Sequence, residues 1–282
     1  DGNEMIVFND LNAARIPDSV GGVWNPSSPD LLTEADIVGP STSIDDDGVL
    51  FNSFSPRVPR YCHVTSMHTN ASINTSEVVQ ETRQWLDRGD LTQLFLQCQS
   101  SVEFEGAAGG QYLTSSGLTS DGLAPNAVAI RVPAEPAAQL DGAFAADSGA
   151  IAAMKANGVP PAYKAGVTTL INESAAALTD RVVLLTGRLD GNAGNGRVTY
   201  LAGHDYTLDV PISSNPQTNG VRLFLNSLFT ADCATMSPGN EIQVAVAAPQ
   251  YSAGPELGYT VTITNAGARP VENLALVAAL PA

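Results

Sequence analysis

Apolar residues fall into short runs divided by turn formers, and the period of these runs changes along the chain. Residues 197–202, Arg-Val-Thr-Tyr-Leu-Ala, are rich in β-formers, opened by Asn195-Gly196 and closed by Gly203, which predicts a buried strand. Val221, Phe224, Leu225, Leu228 and Phe229 then recur at helical spacing, with Asn215 placed as N-cap and Pro216 at the first helical position. Strand, polar turn and helix make an α/β unit. His204 and Asp205 stand just past the strand's C-terminal end, where open α/β sheets bind their ligands.

The same reading applies upstream. Residues 5–9 fit a strand, and Pro17, Gly21, Gly22, Pro26, Pro29, Gly39, Pro40 and Pro56 then make residues 1–59 largely an irregular excursion, with one short helix over 30–36. Residues 61–68 predict a strand. Asn74-Thr-Ser-Glu77 has the order of a capping box before an amphipathic helix with Val78, Val79, Thr82, Trp85 and Leu86 on one face, ended by Gly89. Residues 91–98, LTQLFLQC, read as a second buried strand, so the connection is the right-handed crossover of a parallel pair and Cys98 lies at a strand C-terminus. Further on, 106–122 reads as a Gly/Ser/Thr-rich lid and 127–132 as a strand. Residues 143–155 read as an Ala-rich helix, 167–178 are again Ala-rich, and 181–185 read as a strand in a hairpin with 197–202. The expected fold is α/β: a flavodoxin-like, open, mostly parallel sheet with helices on both faces.

A boundary is expected at the linker Met236-Ser-Pro-Gly-Asn240, dividing an α/β domain over 1–235 from a partial β-sandwich, Ig-like module over 241–282. Three alternating segments there, 241–246, 257–265 and 271–280, cannot bury two sheet faces. Protein partners, or self-association through 241–282, are expected to cover them.

Charge narrows the partners. Thirteen basic against twenty-nine acidic residues give a net charge of −16, which repels phosphate backbones and anionic lipid and argues against nucleic acid. No run approaches the roughly 18 to 20 apolar residues of a membrane helix, which argues against membrane insertion. A start at Asp1 directly before a strand-like run suggests a removed leader and a secreted location, and the acidity suits a saline exterior.

Candidate chemistry is sparse. Asp45, Asp46 and Asp47 before Gly48 resemble a calcium loop, but its twelfth position is Phe54 rather than a bidentate Glu, so a solvated acidic turn is the plainer reading. His63 and His68 face opposite sides of a strand and form no metal pair, and no metal or cofactor is expected. Of three cysteines, Cys62 starts its strand at the bottom of the sheet and Cys233 ends a helix descending to that edge. A Cys62–Cys233 disulfide is therefore expected, with Cys98 unpaired. Asn70, Asn74 and Asn172 each open an N-glycosylation pattern.

LFLQCQSSVEFE after a helix and turn, with GRVTYLAGHDY and a terminal helix far downstream, resembles the class I glutamine amidotransferase-like superfamily, including its trehalose-utilisation-type relatives. The resemblance covers residues 61–233 and implies a nucleophile at Cys98 in a strand-to-helix elbow and a histidine at His204. That elbow normally carries glycine two residues before and after the nucleophile, where this chain has Leu96 and Ser100. LGYTVTITN and a Leu-Pro end resemble the start of a β-sandwich repeat of bacterial surface proteins, implying a bacterial cell-surface location. Two functions follow. One is an exported structural or interaction protein on a non-catalytic amidotransferase-like scaffold, with a glycan ligand left open. The other is a cysteine-dependent hydrolase or acyl transferase with Cys98 as nucleophile, His204 as base and Asp205 beside it.

Overall fold

The structure, a computed structural model, describes residues 32–40, 47–51, 57, 59–66, 75–123, 128–139, 152–160, 162–202, 223, 226–227, 230, 242–247 and 260–265. The chain divides into two compact units, Asp1–Cys233 and Ala234–Ala282. The first strand-like run, 5–9, lies outside the described residues.

Helix α1 (Glu34–Val38) opens with a reciprocal capping box, in which the Thr33 side chain accepts from the Asp36 N–H and the Asp36 carboxylate accepts from Thr33. Strand β1 (His63–Ser66) leads toward α2 (Ser76–Asp87), whose N-cap is Thr75, one residue later than the capping pattern predicts. Val78, Val79, Thr82, Trp85 and Leu86 are buried as one face, joined by the buried Glu81, and the Trp85 indole N–H donates to the Tyr61 carbonyl at 3.0 Å. Strand β2 (Gln93–Gln97) follows, then α3 (Gln99–Gly106), β3 (Leu118–Leu123), β4 (Val128–Ile130), β5 (Ala152–Ala156), β6 (Thr168–Glu173), β7 (Val182–Arg188) and β8 (Arg197–Leu201).

These eight strands form one mixed sheet curled into a half-barrel. β1 pairs parallel with β2 and β2 parallel with β8; from β8 onward every pairing is antiparallel, to β7, then to β5 and β3, with β6 and β4 branching from β7. Five of the seven pairings are thus antiparallel. This corrects the expected open, mostly parallel flavodoxin-like sheet and, with it, the amidotransferase-like assignment. The reason lies in 152–156, expected as part of a helix: it is strand β5, paired with β3 and touching β7 at Met154–Val182. The expected lid fails likewise, because Tyr112, Leu113 and Leu118 are core residues.

The alternation of β2 and β8 divides the sheet's two faces. Leu94, Leu96, Val198, Tyr200 and Leu185 pack with α2 and with Phe104 of α3 in the main core. The opposite face is more polar: Gln93 donates to the Ser227 carbonyl at 3.0 Å, and the Thr186 and Thr199 hydroxyls meet at 3.0 Å. Residues 223, 226 and 227, within the helix expected after Pro216, are helical.

In the second unit, β9 (Ile242–Ala247) and β10 (Thr260–Asn265) form a separate two-stranded antiparallel ribbon. Two strands do not make an Ig-like module, and none occurs among the described residues, so the expected partial sandwich is corrected to this ribbon. The third expected strand, 271–280, and the linker 236–240 lie outside the described residues.

Close packing at the turn into β8 is testable. A Cβ on Gly196 would stand 2.2 Å from Thr92 Oγ1 and 2.6 Å from Leu86 Cδ2, whereas one on Gly106 meets nothing within 4 Å. Gly196→Ala is expected to lower stability by about 1–3 kcal/mol in urea titration, and Gly106→Ala to leave it within about 1 kcal/mol. Equal effects would refute the packing at Gly196.

Candidate functional site

β2 is buried along its whole length, and the chain leaves it through Cys98. Cys98 has φ 49° and ψ −122°, a left-handed φ that side-chain-bearing residues rarely adopt. Its N–H donates to the Leu201 carbonyl at 2.8 Å, fixing the junction to the end of β8, and its own carbonyl accepts from Ser101 N–H at 3.2 Å. α3 begins at the next residue with no side-chain cap hydrogen bond, so its first backbone N–H groups gather beside the cysteine. A strained residue between a strand and a helix is how a nucleophile is presented at an elbow.

Around it, the Ser66 hydroxyl at the end of β1 donates to Ser100 Oγ at 3.3 Å, and the Ser101 hydroxyl is fully buried. Leu96 and Ser100, in the positions where such an elbow carries glycine, are both fully buried. Cys98 itself is half-buried and is not disulfide-bonded.

His204 and Asp205 lie outside the described residues, as do His68, Asp45, Asp46 and Phe54. Connectivity still limits one of them: His204 follows by three residues Leu201, the residue whose carbonyl Cys98 contacts. His63, by contrast, pairs in register with Gln93, five residues before Cys98. At roughly 3.3 Å per residue it is about 16 Å from the thiol, too far to serve it. Cys62 is disulfide-bonded, but among the described residues no disulfide has both its partners, so the expected Cys62–Cys233 link is not among the described contacts and Cys233 lies outside them. No group of three His, Cys, Asp or Glu side chains able to hold a metal occurs among the described residues. Asn172 of the third glycosylation pattern is fully buried; its Oδ1 accepts from Arg131 and its Nδ2 donates to the Ala177 carbonyl.

Sequence reasoning passed over Glu105. This fully buried carboxylate accepts from the Leu113 N–H at 2.7 Å, the Thr114 hydroxyl at 2.5 Å and the Tyr200 hydroxyl. Burial, followed by the Glu105 charge, pushes the Tyr200 phenol far above its usual range, so it stays a donor. A Glu followed by two glycine-containing turns carries no sequence signal of such a role. Asp190, likewise without a local sequence signal, receives Arg83 and Lys164 at 2.5 Å each. Burial works to raise its pKa, but hydrogen bonding and charge from these two cations hold it below the usual carboxylate range.

No family model and no curated protein sequence matches the chain. Among solved structures it is similar to a cytoplasmic protein of Salmonella typhimurium, at TM-score 0.42 and 10% identity over 69% of this chain and 77% of that one. It is also similar to a β-galactosidase from Bacillus circulans sp. alkalophilus, at TM-score 0.32 and 14% identity, and to the GH42 β-galactosidase Gan42B, at 0.35 and 16%. These cover 71% and 73% of this chain, which spans 26% of each of the two enzymes. Scores below 0.5 carry no argument about function. The cell-surface location expected from the sequence rested on the start of a β-sandwich repeat; the described residues of that segment form only a two-stranded ribbon, and the expectation is not carried further. No helix among the described residues is long and apolar enough to cross a membrane.

Burial pushes the His63 imidazole down to about 4, and its Nδ1 is buried. Because the folded pKa lies below the unfolded value near 6.5, the unfolded chain binds more protons between these two values. His63 therefore contributes stability that is complete above about pH 6.5, falls as pH drops through the window, and is gone below about pH 4. The loss is at most about 3 kcal/mol, since part of the residue reaches solvent. Urea titration from pH 7 to 4 is expected to show a shallower decline in His63→Gln than in the parent; parallel curves would count against a neutral His63.

Proposed function

We propose that the Asp1–Cys233 unit is a cysteine-dependent hydrolase or acyl transferase, and the observation that carries this reading is the left-handed backbone of Cys98 between β2 and α3. His204 takes the thiol proton as base and Asp205 stands beside it. The sulfur then attacks a substrate carbonyl, the α3 N–H groups receive the developing oxyanion, and the imidazolium returns its proton to the leaving group. Water or another acceptor completes the transfer from the thioester. The helix N-terminus favours the thiolate. A panel of fluorogenic esters and amides tests this: Cys98→Ala is expected to abolish turnover, and His204→Ala to lower it by roughly 100-fold or more. Turnover unchanged in Cys98→Ala would refute it.

A second reading, a non-catalytic interaction protein, is favoured by the ribbon of the second unit. Its register sets Val244 opposite Ile263 and Val246 opposite Val261, apolar residues paired across a two-stranded ribbon of the kind that recruits a further strand, which suits self-association or a protein partner through 241–282. Under this reading Cys98→Ser leaves concentration-dependent sedimentation of the chain unaltered, while Val244→Lys with Ile263→Lys abolishes it. A glycan is one ligand class for either reading, tested by titrating oligosaccharides against intrinsic tryptophan fluorescence; no change at millimolar sugar would exclude it.

A further inference from the structure

We propose that Glu105 is the positioning residue of the Cys98 elbow, holding α3 against β8 so that the cysteine keeps its left-handed backbone. This rests on the reading of Cys98 as nucleophile. Glu105 lies in the last turn of the helix that Cys98 begins, seven residues on, about 10 Å along its axis. Its carboxylate accepts the hydroxyl of Tyr200, and Tyr200 precedes Leu201, the residue whose carbonyl accepts the Cys98 N–H at 2.8 Å. The contacts therefore close a ring: helix, carboxylate, phenol, strand, cysteine.

Each side of the ring is rigid. β8 is paired on both edges, with β2 and with β7. The carboxylate is held from a third direction by the Leu113 N–H and the Thr114 hydroxyl, and the latter accepts in turn from Gly117 N–H at 2.8 Å. A left-handed conformation at a non-glycine residue persists only where its surroundings over-determine it. At Cys98 the N–H bond to the Leu201 carbonyl and the Ser101 N–H bond to its own carbonyl tie the junction to β8 and to α3, so the position of α3 relative to β8 bears on its backbone. Glu105 joins those two elements directly.

The experiment uses the full chain labelled with ¹³C-cysteine, reading the Cys98 Cα and Cβ shifts, which follow φ and ψ, together with its iodoacetamide rate under native conditions. Glu105→Gln and Tyr200→Phe are expected to move the Cys98 shifts and to lower the rate by about tenfold. Thr114→Val, which spares the link to β8, is expected to leave the shifts in place and the rate within about twofold. Folded Glu105→Gln and Tyr200→Phe proteins with parental shifts and rate would overturn the proposal, making the cluster core packing alone. Loss of the fold in both would overturn it as well. A parental Cys98 that alkylates no faster than in the urea-unfolded chain would count against the nucleophile reading only, because the carbon shifts still report on the clamp.

Discussion

Strand β8 must satisfy hydrogen bonds of two directions at once, and the rest of the Asp1–Cys233 unit is arranged around that requirement. On one edge it runs parallel to β2 from Arg197 to Leu201; on the other the same five residues run antiparallel to β7. Every backbone donor and acceptor of a strand buried in this way needs a partner, so both neighbours are obligatory. The parallel edge rules out a tight turn between β2 and β8, which the chain joins through α3 and β3–β7. With the parallel β1–β2 pair, whose crossover is α2, it brings the C-terminal ends of β1, β2 and β8 to one rim. The antiparallel edge allows a short turn through Leu189–Gly191 and opens the branch toward β5, β6, β3 and β4. The cysteine rim belongs to the first half and the antiparallel branch to the second.

Charged side chains fasten this frame at points where apolar packing would not define direction. Asp190, itself at φ 56°, binds Arg83 from α2 and Lys164 from the segment before β6, so three distant stretches meet at one turn. Exposed pairs of this kind add little stability each, and their value lies in geometry. Glu105 is the buried counterpart. Among the described residues its carboxylate takes donors from three neutral groups, which suits a site where direction matters more than charge balance.

What could be read from the sequence followed the strength of each local signal. Helix α2 was legible because Val78, Val79, Thr82, Trp85 and Leu86 recur at helical period, and β2, β7 and β8 because their β-branched and aromatic runs are bounded by turns. Strand β5 was not, since Ala-Ala-Met-Lys-Ala favours a helix by propensity and becomes a strand only by pairing with β3. Misreading that one segment hid the antiparallel half of the sheet. The lid expectation followed glycine content and overlooked Tyr112 and Leu113, two large apolar neighbours that a solvent-facing loop has no use for. At the site, Cys98 was identifiable from its place at a strand end, but its φ was not, and Glu105 depends on Tyr200 at 95 residues' separation. Contacts of that range leave no trace in local pattern.

The buried Asn172 has a consequence for how the chain is made. Its amide is an oligosaccharyl acceptor by sequence, yet in the folded unit both amide atoms are bound and the side chain is closed to solvent. Transfer of a sugar tree there can occur only on a chain whose β6 has not yet paired with β7, and once attached it would occupy the space that Arg131 and the 177–180 turn require. In a host with an N-glycosylation pathway, folding and modification would therefore compete for this residue, and the fraction of chains carrying the sugar would be a clock for how quickly β6 closes onto the sheet.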